Sequence, residues 1–274
     1  MSNIFGKGYG FYFNGHHSSE FHLFCGVVNN NGTQTYKPNL LTTKQPIWDE
    51  TLNRNYYYGA KKDNLTIKIP ICTNQDDYDM TENDIYSIKA WLSGDDNFHE
   101  LILDDELMSD GITPIKQMYS DKVYFCNVFT NPEINIINSN GTKIYGEITF
   151  QSCFPYGFSE EFSQYFNAQT SITLTNNGIQ SIKPLIKLLA NEATITITNS
   201  TTNQSIVFDG LAIGETIFID CDYKKIYRND LAKTNRFKAL NVNNKKIDFT
   251  LAKGANEITV SGSCDLTFTY RFIY

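Results

Sequence analysis

Strict alternation of polar and apolar residues is the feature that most constrains what this chain can fold into. Residues 193–198 change between polar and apolar at every position, and residues 266–272 place Phe268 and Tyr270 on the same side as Leu266. Successive side chains of a β-strand point to opposite faces of the sheet, so this pattern predicts strands with one buried and one solvated face. Further strands are predicted at residues 65–71, 122–129, 143–153, 215–220 and 246–251.

One segment predicts a helix. Thr81 followed by Asp84 resembles a capping box, in which the hydroxyl and the carboxylate satisfy the first free backbone amides. Gly94 is expected to end this helix in a left-handed turn. The apolar residues of one helical face are Ile85, Ile88, Trp91 and Leu92. Strands that follow strands, with one short helix, predict an all-β chain of two β-sandwich domains.

The domain boundary is predicted near residues 154–157, where Pro155 and Gly157 end a strand before a polar stretch. We therefore expect an N-terminal domain over residues 1–153 and a C-terminal domain over residues 154–274, and 274 residues suffice for two cores. Residues 29–64 are polar, rich in tyrosine and weakly periodic. This segment fits an inserted arm or long hairpin that reaches a neighbour, and it also fits an ordinary surface loop.

The negative charge lies almost entirely in the first domain. Residues 1–153 hold 11 Lys and Arg against 19 Asp and Glu, a net charge of −8, whereas the remaining residues hold 12 against 11, a net charge of +1. Nucleic-acid affinity comes mainly from cationic neutralisation of phosphates, so specific nucleic-acid binding is not expected. The acidic domain suits solubility or a basic partner surface.

Cysteine spacing and hydropathy indicate a cytoplasmic product without a membrane segment. No two of the six cysteines lie within a few residues of each other, so zinc and redox motifs are not indicated and reduced core thiols are expected. The start of the chain carries no secretory pattern, and no apolar run is long enough to span a bilayer. The cysteines are Cys25, Cys72, Cys126, Cys153, Cys221 and Cys264.

Candidate metal and phosphate sites are weak. His16, His17 and His22 are clustered and His99 stands apart, but adjacent histidines on a strand point to opposite faces and a metal needs three or four converging ligands. Residues 6–10 are glycine-rich but lack the Gly-Lys-Ser/Thr of a phosphate loop. The aspartates at 76, 77 and 79 lack the glycine and glutamate of a calcium loop.

Candidate catalytic groups are equally weak. No serine lies in a Gly-x-Ser-x-Gly elbow. Carboxylates are abundant, and those at 95–96 and 104–106 are typical of solvated turns that flank a strand. We therefore predict no catalytic residues, no cofactor and no metal, which indicates a protein that is not an enzyme. Trp48 and Tyr223 are candidates for stacking against sugars, whereas Trp91 is expected in the core.

Several stretches, in their order along the chain, resemble the distal tail (Dit) family of siphophages. In the first half these are residues 11–21 (FYFNGHHSSEF), 88–92 (IKAWL), 100–105 (ELILDD) and 146–156 (GEITFQSCFPY). In the second half they are residues 176–178 (NNG), 183–186 (KPLI), 219–221 (IDC), 254–260 (GANEITV) and 266–271 (LTFTYR). Residues 29–64 do not match the family pattern.

The resemblance implies a structural role in the virion. It implies a ring-forming N-terminal β-sandwich, usually a hexamer around a channel through which DNA passes, and a galectin-like C-terminal sandwich that points outward. The implied partners are other copies of the chain, the tail tube protein, a tail-associated hub protein and receptor-binding proteins. The ring would join the tail tube to the tail tip or baseplate, after assembly in the cytoplasm of the bacterial host.

Two further hypotheses follow. Asp95, Asp96, Asp104 and Asp105 are expected to line the channel, where negative charge would keep passing DNA from adhering. The alternative function is a carbohydrate-binding tail adhesin, in which aromatic residues of 154–274 contact cell-wall glycans. The term galectin-like describes a shape, so sugar binding does not follow from it.

Overall fold

The chain divides into two units with separate hydrophobic cores, Met1–Gly157 and Phe158–Tyr274. The structure is a computed structural model that describes residues 10–29, 32–35, 39–41, 44–51, 54–73, 79–104, 122–130, 132–137, 143–241 and 247–274. Within these residues the secondary structure is β-strand except for one α-helix and two 3-10 turns. The prediction of an all-β chain with one short helix is confirmed.

The elements of the first unit are short antiparallel strands and one helix. The strands are β1 Phe11–Phe13, β2 His16–His17, β3 Leu23–Asn29, β4 Gly32–Thr35, β5 Asn39–Leu41, β6 Lys44–Thr51, β7 Arg54–Lys62, β8 Thr66–Thr73, β9 His99–Leu103, β10 Val123–Asn127, β11 Glu133–Ile137 and β12 Lys143–Ser152. The helix α1 spans Glu82–Ser93, and a 3-10 turn spans Ser18–Phe21.

Ten of these strands form one antiparallel sheet around the central pair β8 and β12. The order is β2-β1-β9-β10-β12-β8-β3-β4, with β11 also beside β12 and β5 also beside β8. Ile69 lies opposite Ile148 and Ile67 opposite Phe150, and all four side chains are fully buried. Full burial of such a side chain contributes about 1.5–3 kcal/mol, so this pair of strands anchors the first core.

Helix α1 begins at the predicted capping box. The Thr81 hydroxyl accepts a hydrogen bond from the Asp84 amide at 3.3 Å, and the Asp84 carboxylate accepts one from the Thr81 amide at 2.7 Å. The predicted left-handed turn at Gly94 is wrong, because Gly94 has a φ of −71° and a ψ of −18°. A Cβ atom at Gly94 would collide with the carbonyl oxygen of Ala90, which accounts for glycine at this position.

Trp91 fixes the helix to the sheet. Its indole Nε1 donates a hydrogen bond of 2.9 Å to the carbonyl oxygen of Phe13. Its ring stacks on Phe11 and on Phe21, at centroid distances of 5.6 Å and 4.3 Å. The expectation that Trp91 belongs to the core is confirmed.

The second unit is a two-sheet β-sandwich. Its strands are β13 Phe162–Asn167, β14 Ser171–Asn176, β15 Leu185–Ala190, β16 Ile195–Asn199, β17 Gln204–Phe208, β18 Thr216–Asp220, β19 Lys225–Arg228, β20 Gly254–Ser261 and β21 Cys264–Tyr270, with a 3-10 turn at Phe237–Ala239. A five-stranded sheet has the order β13-β21-β15-β18-β19, and a four-stranded sheet has the order β14-β20-β16-β17. All pairings are antiparallel, and the inward residues of both sheets alternate with outward ones.

Buried amide side chains replace one predicted strand. The strand predicted at residues 246–251 does not form over residues 247–250, and Leu251 makes an isolated bridge with Ile182. The amide of Asn199 donates to the carbonyl oxygen of Thr250, and the amide of Asn176 donates to that of Leu251. The Thr250 carbonyl group is therefore satisfied by a side chain, whereas the Leu251 carbonyl group also accepts from the Ile182 amide of the bridge.

The six cysteines are free thiols, which confirms the expectation of reduced cysteines. Five are buried and Cys153 is half-buried. Burial raises the pKa of Cys72 to about 11 and that of Cys264 to about 11. These thiols stay protonated near neutral pH and pack as small apolar groups. No helix in the described residues has the length and apolar character required to cross a membrane.

Candidate functional site

Three of the four histidines each contact a different carboxylate. His16 Nδ1 lies 2.9 Å from Oε2 of Glu20, and His17 Nε2 lies 3.0 Å from Oδ2 of Asp104. His99 Nε2 lies 2.8 Å from Oδ1 of Asp95. In the part of the chain that the structure describes, no three potential metal ligands converge. His16 and His99 each pair within one turn of the chain, whereas His17 joins β2 to the residue that follows β9, and none of these pairs forms a metal-binding arrangement within those residues.

Two of the four aspartates predicted to line a channel have local structural partners. Asp104 accepts a hydrogen bond from the Gly10 amide at 2.9 Å in addition to its contact with His17. Hydrogen bonds from His99 and from the Asn97 amide lower the pKa of Asp95. Asp96 is exposed, and residue 105 lies outside the described residues. Asp95 and Asp104 therefore take part in two separate hydrogen-bonded contacts.

Strands β6 and β7 pair as a hairpin inside the segment predicted as an arm. Strands β6 and β7 pair with each other from Lys44–Lys62 to Thr51–Arg54, with a register shift between Pro46 and Trp48. Among the described strands, β6 and β7 form a two-stranded sheet of their own. A two-stranded ribbon is marginally stable in water without a surface to cover it. The hairpin is therefore a candidate interaction element.

Strand β13 is an exposed edge of the second unit. It pairs with β21 on one side and ends the five-stranded sheet. All of its residues except the half-buried Phe166 are exposed, including Phe162 and Tyr165. An open edge presents unpaired backbone amide and carbonyl groups that another strand can bind.

The second unit also contains a buried carboxylate between two arginines. Glu215 Oε1 accepts a hydrogen bond of 3.0 Å from Arg228 Nε, and Oε2 accepts one of 2.8 Å from Arg236 Nη2 and one of 3.0 Å from the Ala212 amide. Only 4% of the Glu215 side chain is exposed. Burial alone would raise the pKa of Glu215, but the hydrogen bonds from Arg236, Ala212 and Arg228 together outweigh it and the pKa is lowered.

Of the two aromatic residues considered for sugar stacking, only Tyr223 can be placed. It is 72% exposed, and the Nζ of Lys225 lies 5.3 Å from its ring centroid. Trp48 lies in strand β6, but its side chain is outside the described part of the structure.

Family models match almost the whole chain. A model described as phage tail protein N-terminal domain matches residues 7–152, and one described as phage tail C-terminal domain matches residues 154–270. The chain belongs to this phage tail protein family. The recognition of a phage tail protein from its sequence motifs is thereby confirmed.

Solved structures show which fold this phage tail protein has. The Dit protein (gp 19.1) of phage SPP1, described as a paradigm of the hub adsorption apparatus in phages that infect Gram-positive bacteria, aligns with a TM-score of 0.61 and 13% identity. The alignment covers 96% of this chain and 98% of the SPP1 protein. A chain of the phage P2 baseplate in its activated conformation aligns with a TM-score of 0.42 and 10% identity, over 91% of this chain and 96% of that one. The phage tail protein thus has the two-domain all-β fold of Dit.

One curated relative is not a phage tail protein. The bifunctional protein FolD of Bacillus subtilis (strain 168) is 25% identical in an alignment 197 residues long, which covers 65% of this phage tail protein. The match spans 64% of the length of FolD. This identity and coverage are too low to assign the chain to the family of FolD, and the phage tail models cover much more of the chain.

The arginine–glutamate cluster was not predicted from the sequence. Glu215 and Arg228 are 13 residues apart and match no motif, so only the pairing of β18 with β19 brings them together. Arg236 joins them because the loop after β19 folds back, with its amide donating to the carbonyl oxygen of Ile226. A hairpin predicted across residues 215–228 is the sequence signal that would have placed Glu215 near Arg228.

Proposed function

We propose that this phage tail protein is a non-enzymatic ring subunit that joins the tail tube to the tail tip or baseplate. The hairpin β6–β7 is the observation that carries this proposal. Its two strands pair with each other and belong to none of the other three sheets among the described residues. A ribbon of this kind needs another surface to stabilise it, and a neighbouring copy of the chain supplies one.

Ring closure requires two different surfaces on each subunit. In a cyclic assembly one patch of a subunit contacts another patch of the next, and the angle between the two patches sets the number of copies. The hairpin supplies one of these surfaces, and an open sheet edge of the next copy supplies the surface that it binds. The resemblance to the Dit family supports six copies around a channel.

The partners and the second unit complete the proposal. The ring binds the tail tube protein on one side and a tail-associated hub protein on the other, in the virion, after assembly in the host cytoplasm. The galectin-like second unit points outward and anchors receptor-binding proteins. Domain boundaries at residues 1–153 and 154–274 are supported by family models that meet at residues 152 and 154.

Size-exclusion chromatography with light scattering tests the ring. The full chain is expected at about six times its mass of 31.3 kDa. Replacement of residues 44–62 by a short Gly-Ser linker is expected to yield a folded monomer, as judged by circular dichroism. The same kind of replacement in the turn at residues 200–203 serves as the control and should leave the ring intact. A full chain that is monomeric at high concentration contradicts the proposal.

The channel lining is a separate part of the proposal. Asp95, Asp96, Asp104 and Asp105 face the channel, where they keep passing DNA from adhering. The variant Asp95→Asn/Asp96→Asn should retain more duplex DNA in a filter-binding assay at low salt than the unsubstituted ring. Equal retention by both rings contradicts the lining, and it leaves ring formation unaffected.

The alternative function is a tail adhesin that contacts cell-wall glycans. The exposed ring of Tyr223 favours it, because an accessible aromatic face can stack on a sugar. Pulldown of the full chain with purified cell walls tests this function. The variant Tyr223→Ala should lose binding if the adhesin role is correct, and unchanged binding argues against Tyr223 as the contact.

A further inference from the structure

An open cavity of about 460 Å³ lies at one end of the five-stranded sheet of the second unit. Small-ligand sites in proteins span roughly 300–1,000 Å³, so this volume suits a monosaccharide or disaccharide. The cavity is built from the turn before β18 and the end of β19. It is lined by Ala212, Ile213, Gly214, Glu215, Thr216, Arg228 and Asn229.

Arg228 contributes an available guanidinium edge to this cavity. Its Nε is held by Glu215, and 45% of its side chain is exposed. Within the described residues its two Nη atoms make no hydrogen bond. Arg236, by contrast, uses Nη2 for both Glu215 and the carbonyl oxygen of Gly210. Glu215 therefore fixes the Arg228 side chain and leaves its terminal nitrogens for a ligand.

The remaining polar groups of the cavity favour a ligand rich in acceptors. The carboxylate of Glu215 already accepts hydrogen bonds from three donors, so it has little capacity for a further one. Arg228 supplies N–H donors, Asn229 an amide and Thr216 a hydroxyl. Asp230 lies within electrostatic reach of Arg228, but it does not line the cavity and its carboxylate accepts from the Thr234 amide.

We propose that this cavity binds an acidic sugar, with a carboxylate or phosphate group paired to the Nη atoms of Arg228. A guanidinium fork matches the two oxygens of such a group. Asn229 and Thr216 bind sugar hydroxyls, and Ile213, which is 77% exposed, packs against the C–H face of the ring. This site lies within one unit and does not depend on ring assembly.

Saturation-transfer difference NMR on the full chain tests the site with three sugars as observed ligands and inorganic phosphate as a competitor. Glucuronate and glucose 6-phosphate carry an oxyanion on a sugar, glucose carries none, and inorganic phosphate lacks the sugar. Both acidic sugars are expected to bind at least about tenfold more tightly than glucose, because their oxyanion forms charge-assisted hydrogen bonds with the Arg228 guanidinium. Competition by unlabelled inorganic phosphate should displace glucose 6-phosphate only at about tenfold higher concentration. The difference between the two acidic sugars tells a carboxylate preference from a phosphate preference.

Arg228→Gln is the deciding variant. It should weaken the binding of both acidic sugars at least about tenfold. Lys225→Gln removes the same charge at the opposite end of β19 and should leave binding unchanged. Equal binding of glucose and glucuronate, phosphate that competes as well as the acidic sugars, or an Arg228→Gln variant that binds as the unsubstituted chain does would each overturn the proposal. Circular dichroism of both variants confirms that the second unit remains folded.

Discussion

At the scale of single residues, the second unit depends on amide side chains that are buried and fully used. Asn256 is completely buried, and its Nδ2 donates to the carbonyl oxygens of Ala252 and Gly254 at 2.8 Å and 3.0 Å. Its Oδ1 accepts from the Ala252 amide and from Asn199. These bonds shape the turn that leads into β20, a turn that the alternation of polar and apolar residues does not predict.

Substitution of Asn256 by alanine should therefore destabilise the second unit. Removal of one partner leaves several buried groups unsatisfied, which costs about 1–3 kcal/mol per group before relaxation, and we expect a total loss of about 2–4 kcal/mol. Hydrogen exchange of β20 peptides, measured by mass spectrometry, reports this loss for the second unit alone. Asn167→Ala on the exposed edge strand is the matched control and should change stability by less than about 0.5 kcal/mol. Equal exchange in the two variants would show that the buried amide network is dispensable.

Glu215 makes the stability of the second unit depend on pH. Its pKa is lowered in the folded chain from an ordinary value of 4.5, so the unfolded chain binds more protons and stability rises with pH in this range. The contribution of Glu215 is fully present above pH 4.5 and is lost as pH falls through the folded pKa. Hydrogen exchange of β18 and β19 peptides should show Glu215→Gln less stable than the unsubstituted chain at pH 7, with a difference that shrinks below pH 4.5. A constant difference across this range contradicts the assignment.

At the scale of elements, residue patterns predicted helices and strands correctly where a single interaction, such as burial of one face, determines the local structure. The alternation of polar and apolar residues in 193–198 and 266–272 correctly predicts β16 and β21, because burial of one face of the sheet produces both the alternation and the strand. The pattern at residues 246–251 predicted a strand that does not form over 247–250, where side chains bond both backbone groups of Thr250: Asn199 donates to its carbonyl oxygen and Gln204 accepts from its amide. Hydrogen bonds from side chains to the backbone leave no periodic pattern in the sequence. The cavity at Glu215 was missed for a related reason, since its residues are brought together only by strand pairing.

The capping box of α1 offers a test at this scale. Thr81→Ala removes the oxygen that accepts from the Asp84 amide, and loss of such a cap costs about 1 kcal/mol. Urea unfolding followed by tryptophan fluorescence measures this cost, because both tryptophans, Trp48 and Trp91, belong to the first unit. Ser87→Ala on the exposed side of the helix is the control, and it should have a smaller effect. An equal loss in both variants would show that the cap does not hold the helix.

At the scale of the whole molecule, charge is divided unequally between the two units. Residues 1–153 carry a net charge of −8 and the remainder carries +1. The proposed ring would bring the acidic units of neighbouring copies together, so their repulsion would oppose closure and the proposed contacts of the hairpin and the sheet edges would have to offset it. The size of the repulsion can be measured by varying the ionic strength, because salt screens it.

Salt should therefore strengthen the proposed ring. Raising NaCl from about 0.02 M to about 0.5 M shortens the Debye length from roughly 20 Å to roughly 4 Å and screens the repulsion between acidic units. Mass photometry at nanomolar concentration should then show a larger fraction of full rings at the higher salt. The variant Asp95→Asn/Asp96→Asn removes two negative charges per copy, that of Asp95, which contacts His99, and that of the exposed Asp96. Its ring fraction should depend less on salt and should be higher at low salt than that of the unsubstituted chain. Dissociation that increases with salt would instead mean that ion pairs between copies hold the interface, and the acidic units would then face basic surfaces of their neighbours.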